Sequence, residues 1–204
     1  MGNGITFLNK LQVIINYPMK IFIKNMVSKR CKMVVAAELE KLELRHNSVE
    51  LGEIELIEEL SELKHKELRT ALQKWDFELL DDRKAILAER VKNVIVEMIH
   101  YSNSLPHINY SAYISKKLTH DYTYLSNIFS EIENITIEHF IIAHKIERVK
   151  ELLMYNEYNI SEIAAKLNYS SVAHLSNQFK KVTGITPSFF KAMKNKNRIP
   201  LDDV

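Results

Sequence analysis

Leu175-Ser176-Asn177, followed by Phe179 and then Ile185-Thr186 with Phe190, restates Leu125-Ser126-Asn127, Phe129, Ile135-Thr136 and Phe140 at an offset of 50 residues. Seven identities in one register mark a supersecondary unit used twice. In the second copy, Asn159-Ile160-Ser161-Glu162 reads as a capping box, the Asn side chain accepting from a free backbone donor and Glu reaching back. The helix it opens runs to Leu167, and Ala164 and Ala165 are small enough to let a second helix cross close by. Asn168-Tyr169-Ser170 supplies the turn. Ser170 or Ser171 caps the next helix, which runs to about Val182 before Gly184. Thr186-Pro187 begins another, with Pro at the first helical position, where its missing donor is harmless. The first copy predicts the same plan: a helix from Tyr110 to Leu118, a turn at Thr119-His120, a helix from Asp121 to about Ile132, and Thr136 as the next cap. Two helix-turn-helix units in tandem point to duplex DNA.

The second helix of each unit predicts two faces. Leu125 and Phe129, like Leu175 and Phe179, are four apart and belong to the core. Another face carries Thr123, Ser126, Asn127 and Ser130, matched by Ala173, Ser176, Asn177 and Lys180 at spacing i, i+3, i+4, i+7. Such a stripe suits the major groove. Asn bonds adenine N6 and N7 together, Ser is tolerant, and Ala or the Thr methyl touches a thymine methyl. Val172 reads both ways, because it also lies on the Leu175 and Phe179 side. From Asn159 to Arg198 seven basic residues stand against one acid, Glu162, an excess of +6. From Asn109 to Tyr158 five stand against seven, or −2. The second copy therefore carries most of the charge for phosphates, Lys180 and Lys181 foremost.

These residues resemble the DNA-binding domain of AraC/XylS-type transcription regulators over roughly half of the chain. The likeness rests on the run from Ile160 through Leu175, on Phe179-Lys180-Lys181, on Gly184-Ile185-Thr186-Pro187 to Phe190, and on Lys145 through Leu153 in the linking helix. It implies two helix-turn-helix units joined by one long helix. The positions that meet bases in that family fall here on Tyr122, Thr123, Ser126, Asn127, Val172, Ala173, Ser176 and Asn177. Three departures stand out: Asn168-Tyr169 replaces a Gly-aromatic pair at the turn, Asn134 replaces the Gly closing the first unit, and Val149 replaces a linking-helix Ala. Asn tolerates the left-handed backbone that Gly would supply.

The front half has a different rhythm. Met19 to Ile23 reads as a strand after Pro18, which leaves residues 1–18 as an extension, with Met19 an alternative start. Lys32 to Leu42 is helical in the spacing of Val35, Leu39 and Leu42. Gly52 turns a hairpin between Val49-Glu50-Leu51 and Ile54-Glu55-Leu56. Ser61 to Trp75 predicts a second helix through Leu68, Ala71, Leu72 and Trp75, and Phe77-Glu78-Leu79 alternates again. The order β-α-β-β-α-β is ferredoxin-like. Asp81-Asp82 caps a helix from Arg83 to Tyr101 whose stripe is Leu87, Val91, Val94 and Met98, short enough to pack within its own domain rather than form a dimer seam.

The expected fold is thus an α+β ferredoxin-like N-terminal domain (19–82), a connecting helix (83–104), an all-α domain of two helix-turn-helix units joined by a long helix (105–198), and a tail (199–204). The first domain is also similar in pattern to heavy-metal-associated domains. Where those carry Cys-x-x-Cys, however, Ser28 and the single Cys31 stand here, a poor basis for a soft-metal site. No phosphate loop and no nucleophile-base motif appears, so no enzyme and no cofactor is expected. No apolar run reaches the roughly 18 residues that span a bilayer, and a lone cysteine fits a reducing cytoplasm. The expected partner is double-stranded DNA, with an unknown effector or protein at the first domain and dimerisation left open. The rival reading is a ligand-, metal- or protein-binding adaptor whose helical half does not read DNA.

Overall fold

The computed structural model describes residues 19–102, 109–155 and 158–196; the expected extension at 1–18, Pro106 and the tail at 199–204 lie outside them. The chain divides into two units, Met1–Leu79 and Leu80–Val204.

In the first unit the elements are β1 (Met19–Lys24), α1 (Lys29–Lys41), β2 (His46–Glu50), β3 (Glu53–Leu56), α2 (Glu62–Gln73) and β4 (Glu78–Leu80). They build a four-stranded sheet in the order β2-β3-β1-β4, with β3 antiparallel to both β1 and β2. Alternate strand residues Ile21, Ile23, Ile54, Leu56 and Leu79 are buried, and so are Val35 and Leu39 of α1 and Leu68, Ala71 and Leu72 of α2. The intervening strand positions carry polar pairs, Lys20 with Glu53 at 2.6 Å and Asn47 with Glu55 at 3.2 Å. Gly52 turns the hairpin with φ +73°, the left-handed value that favours glycine.

Two local expectations need correction. Helix α1 begins at Lys29 rather than Lys32, because the Ser28 side chain accepts from the Cys31 amide and caps it. Trp75 does not extend the buried stripe of α2. That helix stops at Gln73, Asp76 takes φ +59° to swing Phe77 inward, and Trp75 is left half-exposed with its indole N–H on Glu38 at 3.3 Å.

The second unit is helical: α3 (Arg83–Val96), a π-helical segment (Glu97–Tyr101), then α4 (Tyr110–Leu118), α5 (Tyr122–Glu133), α6 (Ile137–Tyr155), α7 (Ile160–Lys166), α8 (Val172–Thr183) and α9 (Pro187–Lys196). One hydrophobic core runs through it. The helix expected to connect two halves belongs to this core, since Leu87, Val91, Ile95 and Met98 are buried with Ile128 and Phe129 of α5 and Ile141 of α6. It is also not a single α-helix to Tyr101. The last turn is π-helical, and His100 there meets His144 of α6, Nε2 to Nδ1, at 3.1 Å. Lys92 bridges Glu89 of its own helix (2.7 Å) and Glu133 at the end of α5 (3.1 Å).

The repeat is visible in packing. Phe129 meets Phe140 edge-on at 5.5 Å between centroids, and Phe179 meets Phe190 edge-on at 5.7 Å, both at interplanar angles of 67°. Each copy thus locks its second helix to the helix that follows with the same aromatic pair, an arrangement worth about 0.5–1.5 kcal/mol beyond burial.

Candidate nucleic-acid interface

Each unit is built from two short helices and a left-handed residue at or beside the turn. In the first copy Thr119 closes α4 with φ +56°, and in the second Asn168 follows α7 with φ +51°. Asp121 then caps α5, its carboxylate accepting from the amides of Thr123 (2.8 Å) and Tyr124 (3.2 Å). Ser171 rather than Ser170 caps α8, accepting from the His174 amide at 3.0 Å. The capping box of α7 is complete, Asn159 and Glu162 exchanging bonds of 2.7 and 2.9 Å. Asn134 and Gly184 end α5 and α8 with φ +56° and +81°. At Asn168 and Asn134, where glycine was the expected residue, Asn therefore adopts the left-handed backbone. Of the two small residues expected at the helix crossing, Ala164 is buried and Ala165 is exposed.

The faces separate as the spacing predicts. Leu125, Phe129, Leu175 and Phe179 are fully buried. On the outer stripe of α5, Thr123 and Asn127 are exposed and Ser126 is half-buried; on α8, Ala173 and Asn177 are exposed and Ser176 is half-buried. Val172 is 38% exposed, which resolves its double reading toward the surface. Tyr122 is half-buried, its hydroxyl pushed up by loss of solvent, so it shows only part of its ring outward. Lys180 and Lys181 are both exposed. At the positions equivalent to this pair the first copy has Ser130 and Glu131, and Glu131 is engaged by Lys84 at 2.7 Å.

Three residues escaped the sequence reading. Tyr124 and His174 occupy equivalent places in α5 and α8, both exposed, and each ring stands edge-on to an aromatic of its own turn, His120 at 5.8 Å and Tyr169 at 5.3 Å. The 50-residue offset would have matched them, but a stripe chosen on the Ser-Asn pair passes them by. The third is Lys145 of α6, which is only 7% exposed, with its ammonium 3.8 Å from the centre of the Tyr169 ring and 5.7 Å from that of Tyr110. Burial draws its pKa down to about 8. Its place in the linking-helix run was legible in the sequence, but its burial was not, because a helix-face lysine is ordinarily solvated.

Residues 114–193 match a family model described as a helix-turn-helix domain. This segment is an AraC-type helix-turn-helix domain. Among relatives, this chain is 30% identical over 99 residues to the Msm operon regulatory protein of Streptococcus mutans, covering 45% of this chain and 36% of that protein. A helix-turn-helix-type transcriptional regulator of Bacillus subtilis, YtdP, is 28% identical over 81 residues, 40% of this chain and 10% of its own. A helix-turn-helix-type transcriptional regulator of Staphylococcus aureus is 27% identical over 161 residues, 77% of this chain and 20% of its own length. That last match is longer than the whole second unit, so it reaches into the first. The chain spans no more than 36% of the length of any of these relatives. Of solved structures, the C-terminal domain of AraT, a response regulator from Geobacillus stearothermophilus, is 24% identical with a TM-score of 0.47, covering 59% of this chain and 93% of that one.

Among the described residues no three His, Cys, Asp or Glu groups lie together as a metal site would need, and no helix is long and apolar enough to cross a membrane. Cys31 is half-buried, with its Sγ 3.2 Å from Ser28 Oγ.

Proposed function

We propose that the chain is a sequence-specific DNA-binding transcription regulator whose AraC-type domain reads two adjacent major-groove segments of one duplex. The observation that carries this reading is the pair of matching outward stripes, Thr123, Ser126 and Asn127 on α5 and Ala173, Ser176 and Asn177 on α8, held on one continuous helix. Tyr122 and Val172 flank the stripes, and Lys180 and Lys181 supply phosphate contacts. The names of the three relatives, an operon regulatory protein and two transcriptional regulators, support the same role. In this reading the protein binds rather than catalyses and works in the cytoplasm. The first unit is a ferredoxin-like sensor or interaction domain, supported by its β-α-β-β-α-β order and the strand sequence β2-β3-β1-β4. The test is selection of bound sequences from a random duplex pool with the full chain. A single enriched motif of two blocks about one helical turn apart is expected; binding that enriches no sequence would overturn the proposal.

A further inference from the structure

Between the two reading helices the second unit holds a half-open cavity of about 430 Å³. Its apolar walls come from Tyr110 of α4 and from Ile141 and Ile142 of α6, and Tyr122, at the start of α5, and His174, in the first turn of α8, reach it from the two reading helices. Lys145 lines the same space, nine-tenths buried, its ammonium held against the Tyr169 ring. Among the described residues no carboxylate lies within ion-pair distance of it. A buried cation without an anion is a costly arrangement, and a ring face returns only part of the lost hydration. We propose that this cavity is a binding site for a small monocarboxylate with an apolar or aromatic body, its carboxylate paired with Lys145 and its body against the tyrosine and isoleucine walls.

The charge count favours a monoanion. Among the described lining residues Lys145 is the single lysine, enough to pair one carboxylate, and Glu138 of the same lining would be left to repel a second negative charge. The depth of the ammonium favours a free small molecule over a phosphate of the DNA backbone, which stays at the protein surface. The affinity of such a ligand would fall as pH rises past 8, where Lys145 loses its proton. Because the occupant touches the first turns of both reading helices, it would act as an effector at the DNA-reading unit itself. Binding can be measured without DNA, so its failure is distinct from a failure of the proposed function.

The probe is 3-phenylpropionate, titrated calorimetrically into the full chain at neutral pH, with the uncharged 3-phenylpropanamide beside it. Saturable binding of the acid, at least tenfold weaker binding of the amide, and at least tenfold loss in Lys145→Met with recovery in Lys145→Arg are expected. Should Lys145→Met fail to fold, Ile142→Trp, which fills the cavity from a half-buried position, must show the same loss. No saturable binding of the acid, or equal affinity in a folded Lys145→Met or Ile142→Trp variant, would overturn the assignment. So would a Lys145→Met variant that, without ligand, weakens all duplexes alike and lowers the salt slope by about one, because the anion would then be a backbone phosphate.

Discussion

At the scale of single residues, the exposed face of α8 divides into side chains suited to bases and side chains suited to phosphates. Asn177 is exposed and uncharged, and the amide can bond adenine along two atoms. Asn177→Ala is expected to weaken the preferred site by about 1–3 kcal/mol while leaving random DNA nearly unchanged. Lys180→Ala and Lys181→Ala should instead weaken all duplexes and flatten the salt dependence. Titrations of a specific and a random duplex across salt concentrations separate these outcomes, and equal loss on both for Asn177→Ala would remove that residue from the reading face. In the first unit, Ser28 caps α1 and faces Cys31 where a second thiol would be needed to hold a soft metal. Protein purified without oxygen should therefore carry no stoichiometric copper or zinc by elemental analysis; one tightly held ion per chain would make this unit a metal-sensor candidate.

Among the elements, the ends of the two reading helices do the same job with different residues. Asn134 and Gly184 both close their helices in the left-handed region. A Cβ built at Gly184 meets nothing within 4 Å, so any penalty there comes from the backbone angle alone. Gly184→Val should cost about 1–2 kcal/mol and Gly184→Asn distinctly less, since Asn already serves at the equivalent place. Urea midpoints of the two variants check the order, and equal losses would mean that φ is not the controlling term. The 19 residues of α6 bear on a larger question, since at about 1.5 Å each they extend roughly 28 Å, near the roughly 34 Å between successive major-groove faces. A fragment spanning the whole second unit, Leu80 to Val204, so that α3 stays in the core, is expected to protect two patches about one helical turn apart as a monomer. A single protected groove segment, or binding only as a symmetric dimer, would refute the strut.

Over the whole molecule, acid pH should act through the histidine pair in the second unit. His100 and His144 are both half-buried and lie 3.1 Å apart, with Glu151 3.6 Å from His100 and with Arg148 and Glu147 also acting on the pair. Burial pushes both imidazoles below their ordinary pKa. The unfolded chain therefore takes up protons first as pH falls, and stability that is intact above about 6.5 is lost progressively toward the lower folded values. The melting temperature is expected to drop between about pH 7 and 5, and more shallowly in His144→Phe, whose ring suits the neighbouring Phe140. An unchanged pH slope in that variant would place the sensitivity elsewhere.

The sequence alone determined whatever depends on local chemistry: the repeat, the caps at Asp82 and Asn159, the tolerance of Asn134 for a left-handed turn, and the inward and outward faces of α5 and α8. Periodicity and capping need only neighbouring residues, and for that reason they were legible. It missed what depends on residues distant in the chain. Only the tertiary structure showed that α3 packs against α5 instead of merely connecting, because an apolar stripe states that a face is covered and not by what. The π-helical turn that ends this helix was equally hidden, since it meets α6 more than forty residues away through His100 and His144. Lys145 is the clearest case: as a letter it is a surface cation, and its burial against Tyr169 exists only because α6 and the turn after α7 converge there, where desolvation changes its chemistry.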